Sequence, residues 1–141
     1  MVPVKRSAFS VDGHGPVEYR RIMAKFTKLM IDDSRVLQAF AQADGWDVIK
    51  RGEDLPSWID SHGWPEAIAM DYDLQHGHGT WDGGRVALWL KNAFDQTGRP
   101  AAAFPLWDAH SSLAAGNLEI EETLSEFASN RRSGLAPIKR A

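Results

Sequence analysis

Cysteine is absent from all 141 residues of this sequence. That excludes a disulfide framework and any thiolate-held metal centre, and it fits a reducing compartment. Long apolar runs are absent as well. No window approaches the ~20 apolar residues that a bilayer-spanning helix requires, and the first ten residues lack the apolar stretch of a signal peptide. The expectation is a cytoplasmic protein without membrane contact. There is no internal repeat and no low-complexity segment. The glycines match neither a P-loop nor a dinucleotide fingerprint, and no nucleophile-elbow motif surrounds any serine. What remains is ordinary for one globular domain: 43% hydrophobic and 25% charged residues, in a chain long enough to bury its own core. Six tryptophans make aromatic packing prominent in that core.

Positive charge is scarce in the body and concentrated at the ends. Residues 1–30 carry a net +4 and residues 131–141 another +4, whereas 31–130 carry a net −11. The division reads as an N-terminal extension (1–25), an α/β domain (26–130) and a basic C-terminal tail (131–141). Basic ends on an acidic body are either solvated tails or contacts for phosphates and nucleic acid.

From residue 26 onward, strand and helix signals alternate. Leu29-Met30-Ile31 is a short apolar run ending in Asp32-Asp33 and reads as a buried strand. Ser34 or Asp33 can cap a helix carrying Val36, Leu37, Phe40 and Ala41. Residues 46–49 form a second strand signal, and Asp54 before Pro56 starts a short helix with Trp58 and Ile59. Ala67-Ile68-Ala69-Met70 is a third apolar run, ending in Asp71. Val86, Trp89, Leu90, Ala93 and Phe94 stripe a helix that closes at Gly98 and Pro100. Residues 101–107 read as a fourth strand, and Ile120, Leu124, Phe127 and Ala128 stripe a last helix with Arg131 and Arg132 at its end. In the first 25 residues, Asp12-Gly13 suits a hairpin turn, while Pro16 followed by Tyr19, Ile22 and Met23 suits a helix. The alternation predicts a mostly parallel sheet covered on both faces.

In such a sheet, ligands bind beyond the carboxyl ends of the strands. Asp32 and Asp33 follow the first strand, Asp71 and Asp73 the third, and Asp108 and His110 the fourth. Converging carboxylates repel one another unless a cation is present or one takes up a proton. Hard oxygen donors suit Mg²⁺ or a related divalent ion, so Asp32, Asp33, Asp71 and Asp73 are the candidate metal ligands. Asp73 joins them if the third strand continues far enough for residues two apart to share a face. Asp33 and Asp73 also have plain structural readings, as a helix cap and a turn former.

His110, just beyond a strand, is a candidate general acid or base near neutral pH. Ser111 beside it can hydrogen-bond a phosphoryl oxygen or share a helix cap with Ser112, the better cap. His76 and His78 lie in the glycine-rich loop that runs from Gly77 to Gly84; they could join a metal site, and the loop amides around Gly77-His78-Gly79 could face a phosphate. His14 and His62 sit by glycines in turn-like segments and receive no role. Trp81, between that loop and the next helix, either closes a core edge or stacks on a base.

The segment Leu29-Met30-Ile31-Asp32-Asp33 resembles the first strand of response-regulator receiver domains, and Ala67-Ile68-Ala69-Met70-Asp71 resembles their third. The resemblance is closer to the cyclic-phosphate-processing receiver-like branch, through Asp71-Tyr72-Asp73-Leu74, the glycine loop, Val86-Ala87-Leu88-Trp89-Leu90 and His110-Ser111. It covers roughly residues 27–130. It implies a three-layer, flavodoxin-like fold with four to five strands, an acidic pair binding Mg²⁺ and an acceptor-type aspartate at Asp71. It also implies a cyclic phosphate as substrate, at an RNA end or on a small nucleotide. Together with the residue chemistry, this gives a metal-dependent phosphoesterase with Asp71, His110 and Ser111 as catalytic candidates. The alternatives are a non-catalytic module that binds a phosphorylated ligand or protein partner, and a switch phosphorylated on Asp71. The chain departs from a conventional receiver after Ser111, where it has room for one helix and a tail but shows no fifth strand carrying a lysine; Lys139 is a poor substitute. The 75–84 loop is also longer than the family's.

Overall fold

A computed structural model describes residues 27–74 and 79–136. The hairpin and helix readings for the first 25 residues fall outside that range. Four strands form the sheet: β1 (Lys28–Ile31), β2 (Asp47–Ile49), β3 (Ala67–Met70) and β4 (Leu106–Ala109). Four α-helices connect or follow them: α1 (Arg35–Ala43), α2 (Leu55–His62), α3 (Gly83–Gln96) and α4 (Ala114–Thr123). The sheet order is β2-β1-β3-β4 and every pairing is parallel. The parallel pairing is what the alternating pattern predicts, and the order is the flavodoxin-like one, with four strands, that the resemblance implies.

Local chemistry explains the starts of the helices. Ser34 Oγ accepts from Leu37 N at the start of α1, and Asp82 Oδ1 accepts from Arg85 N at the start of α3. Pro56 occupies the first turn of α2, where its missing N–H costs nothing. Alternation along the short strands then divides the core in two. Leu29, Ile31, Ile68, Met70, Trp107 and Ala109 face α2, α3 and α4, meeting Trp58, Val86, Leu90, Ile120 and Leu124. Phe104 stacks on Phe127, with ring centroids 4.0 Å apart, and Phe94 meets both edge-on. Met30, Ala67 and Ala69 face the other way, toward Ala41 of α1, Trp46 and Ala136.

Two expected elements are shifted. The fourth strand begins at Leu106 rather than at 101: residues Ala101–Ala103 form a 3₁₀ turn, and Pro105, which has no N–H to give a ladder, precedes the strand. The last apolar stripe is not one helix. α4 ends at Thr123, and Ser125–Asn130 continue as 3₁₀ turns broken at Phe127, which keeps Phe127 buried against Phe94 and Phe104.

No fifth strand lies beside β4 among the described residues. Its edge is met by a single bridge, Trp107 to Arg131, with Arg132 N donating to Trp107 O at 2.9 Å. Arg131 is fixed there by Asp108 (Nε to Oδ1, 3.0 Å) and Glu121 (Nη2 to Oε2, 2.9 Å), and Gly134 N donates to Asp108 Oδ2. The tail thus begins as part of the body. Among the described residues, no helix is long and apolar enough to cross a membrane.

Candidate functional site

Strand register builds the site. Ile31 pairs with Met70, and Met70 with Ala109. The next residues, Asp32, Asp71 and His110, therefore emerge side by side at the carboxyl edge. The ladder carries them: Asp71 N donates to Ile31 O at 3.0 Å and His110 N to Met70 O at 2.9 Å. The chain runs outward from β1 to β2 on one side and reaches β3 and β4 on the other, so β1 and β3 flank the switch point where open sheets bind ligands.

Asp32 is fully buried. Its Oδ1 accepts from Ser34 N at 2.7 Å, and its Oδ2 lies 2.6 Å from His110 Nε2. The His110 side chain is only 2% exposed, and its Nδ1 is buried without a hydrogen-bond partner. One oxygen each from Asp32, Asp33 and Asp71 lies within 4.8 Å of the others. Asp33 does not cap α1, a task that Ser34 performs; its Oδ2 is buried and also unpartnered. Burial raises the pKa of Asp71 above the carboxylate norm, and the Asp32 carboxylate adds to the effect; His110, Ser111 and the Tyr72 amide act in the other direction.

These donors suit a divalent cation. They are hard oxygens, one of them is a buried acceptor with nothing to accept from, and mutual repulsion disfavours the fully ionised trio.

The loop after β4 comes up beside Asp71. The Ser111 side chain there favours the ionised form of Asp71. The hydroxyl of Ser111 accepts from Leu113 N at 3.0 Å, and the side-chain amide of Asn117 grips both the N–H and the C=O of that serine, at 2.9 and 2.7 Å. Ser112 is exposed and caps nothing; Leu113 holds the cap position of α4 without a side-chain bond.

Two of the expected carboxylates stand elsewhere. Asp73 is outside the three-carboxylate group, because the strand stops at Met70. Beyond it the chain turns, with Tyr72 N donating to Asp71 Oδ1 at 2.8 Å and Gly83 N to Tyr72 O at 2.7 Å. Gly83 is required at that crossing: a Cβ there would sit 2.5 Å from Asp71 O. Asp108 lies within β4, not after it, and is committed to Arg131 and Gly134. His76 and His78 lie outside the described residues. His62 stacks on Trp58, with ring centroids 4.2 Å apart. Trp81 packs against the core edge near Gly52, and Arg85 lies over its ring.

Sequence reasoning missed three residues around the site. Asn117 sits six residues beyond the serine it grips, a spacing with no motif. Tyr72 is seated against α4 at Gly116, where any Cβ would collide with the ring, and its hydroxyl donates to Glu119 at 3.0 Å. Burial and the neighbouring acids push its pKa up to about 12, so it stays a neutral phenol. Glu53, in the 3₁₀ turn after β2, accepts from Thr80 N at 2.9 Å and Trp81 N at 3.4 Å, which anchors the outgoing limb of the glycine loop. Only a contact 27 residues away in sequence reveals that anchor.

Over residues 27–126 the chain matches the family described as the cyclic-phosphate processing receiver domain. No curated protein is significantly similar to it. Among solved structures, a fusion protein that includes a yeast Spc42 trimeric coiled coil is similar, at 20% identity and a TM-score of 0.47. The similarity covers 69% of this chain and 62% of that one.

Proposed function

This chain belongs to the cyclic-phosphate processing receiver family, and we propose that it hydrolyses a cyclic phosphodiester with the help of a divalent cation. The observation that carries the reading is the buried pairing of His110 with Asp32, one of three converging carboxylates. Asp32, Asp33 and Asp71 would hold the ion, which when bound supplies Lewis acidity toward a phosphate oxygen.

The protein's own groups do the rest. Asp32 accepts from His110 Nε2–H, which leaves the Nδ1 lone pair as the basic atom. His110 takes a proton from water as the water oxygen bonds to phosphorus. One ring P–O bond then breaks, the departing oxygen takes a proton from solvent, and a phosphomonoester results. Ser111, gripped by Asn117, is fixed beside Asp71 and favours its ionised form. Among the described residues, the basic side chain bridged to the β4 edge is Arg131, which Asp108 and Glu121 engage, and no lysine of a phospho-accepting switch stands there.

The test is hydrolysis of a nucleoside 2′,3′-cyclic phosphate with Mg²⁺ present. Loss of the general base in His110→Ala should lower kcat by roughly 10²–10⁴, with KM changed only a few-fold. A wild-type protein that binds but never opens any cyclic phosphate would make the domain a binding module. Stable labelling of Asp71 by a small acyl-phosphate donor would make it a switch.

A further inference from the structure

Near the carboxylates lies a cleft of about 260 Å³, lined by Tyr72, Asp73, Asp82 and Leu113. Its lining residues neighbour those of the acidic site in the chain. Tyr72 N donates to Asp71, and Leu113 N donates to Ser111, so both walls hang on residues of the site. Its volume falls below the ~300–1,000 Å³ of clefts that hold whole drug-sized ligands; it is the size for one ring system.

The aromatic wall is fixed before any ligand arrives. Gly116 leaves room for the Tyr72 ring, and Glu119 holds its hydroxyl. Leu113, half exposed, supplies an aliphatic edge opposite. The polar chemistry is one-sided. The carboxylates of Asp73 and Asp82 only accept hydrogen bonds, and the Tyr72 hydroxyl already donates to Glu119. A ring seated here must therefore be neutral or cationic and must carry N–H donors on its edge. A second phosphate would be repelled.

We infer that the Tyr72–Leu113 cleft seats the nucleobase of a nucleoside cyclic phosphate, favouring bases with an exocyclic amine over uracil. The inference rests on the proposed reaction at the neighbouring carboxylates, and it names the substrate class that reaction takes. A rigid aromatic face suits base stacking, and a carboxylate beside it suits an amino edge, as when acidic side chains accept from cytosine N4.

The experiment compares cytidine 2′,3′-cyclic phosphate, uridine 2′,3′-cyclic phosphate and the base-free glycerol cyclic phosphate on wild type, Tyr72→Ala and Leu113→Ala. In wild type, KM should rise about fivefold from cytidine to uridine and at least about tenfold for the base-free ester, the loss of one stacked base. Tyr72→Ala should raise KM for the cytidine ester to the base-free level, a rise several-fold larger than any it causes for the base-free ester. Leu113→Ala, a surface change that does not threaten folding, should move the cytidine KM in the same direction by a few-fold. Equal KM values with and without a base, or variants that shift both substrates alike, would overturn the assignment.

Binding of plain cytidine, followed by NMR of the Tyr72 ring, separates this reading from the reaction. Ring shifts without turnover of any cyclic phosphate would leave the base site standing and remove the hydrolase. Turnover indifferent to the base, with no ring shift, would do the reverse.

Discussion

Replacing Asp71 by asparagine should make the protein more stable at neutral pH in the absence of metal. Oxygens of Asp32, Asp33 and Asp71 lie within 4.8 Å of one another. Two unit charges at that separation repel by about 3.5 kcal/mol at an effective dielectric constant near 20. His110, the Ser111 side chain and the Tyr72 amide offset part of this, and the asparagine carbonyl can still accept from Tyr72. A net gain of about 1–2 kcal/mol is the expectation, or roughly 3–6 °C in Tm for a domain of this size.

The pH dependence has a definite sign. Folding raises the pKa of Asp71 above its ordinary 3.8. Its carboxyl therefore contributes stability that is fully present below that ordinary value and is lost as pH rises through the raised one. The advantage of Asp71→Asn should be full at pH 7 and shrink as pH falls toward 4. Mg²⁺ should reverse the order: at about 100 times its dissociation constant a native-state ligand adds ~2.7 kcal/mol, and only wild type keeps all three ligands. Thermal denaturation of both proteins from pH 4 to 8, with and without Mg²⁺, is the assay. An Asp71→Asn protein less stable than wild type at pH 7 without metal would refute the claim that these carboxylates strain the fold.

Removing Arg131 should leave Asp108, only 5% exposed, without its cation. Arg131→Ala should cost about 2–3 kcal/mol, below the 3–5 typical of fully buried pairs because the arginine is one-third exposed. Chemical denaturation of the Asp108→Ala/Arg131→Ala double mutant should show a loss smaller than the sum of the single losses. Removing Glu53 should release the amides of Thr80 and Trp81. Hydrogen exchange at those two positions should speed up about tenfold in Glu53→Ala, the worth of a charge-assisted bond, while Tm moves by less than about 3 °C. The pKa of Glu53 is lowered mainly by the Thr80 amide. In wild type that protection should therefore hold above the ordinary glutamate value and fade as pH falls through the lowered one.

The sequence exposed the parts of the site that local rules control. Short apolar runs ending in aspartate marked β1 and β3, and the topological rule for parallel sheets put Asp32, Asp71 and His110 on one edge. Asp73 and Asp108 were misplaced because strand ends are set by the ladder and not by the apolar pattern. Asp108 lies two residues before His110, inside the strand and short of its carboxyl end, where Arg131 and Gly134 engage it. The last helix looked continuous because its stripe was helical in period. The Phe94–Phe104–Phe127 stack then overrode that period and bent the chain at Phe127. Asn117, Glu53 and the seat of Tyr72 on Gly116 were illegible for another reason: each is a contact between elements, with no spacing rule to betray it.

The way these contacts are distributed bears on what the pocket can do. A phosphorylation switch needs an element with two arrangements of similar free energy, one of which the phosphate selects. Around Asp71 the neighbours are pinned instead. Ser111 is held at both ends of its peptide by Asn117. Tyr72 is wedged on Gly116 and tied to Glu119. His110 is buried against Asp32, whose second oxygen is already taken by the Ser34 amide. Among the described residues, the edge beside β4 is met by Arg131, locked between Asp108 and Glu121. What stays unsatisfied within this fixed frame is a histidine nitrogen and a carboxylate oxygen, both buried. Fixed polar groups that need not rearrange during a reaction are what electrostatic preorganisation requires. The same rigidity would penalise a domain that had to change shape to send a signal.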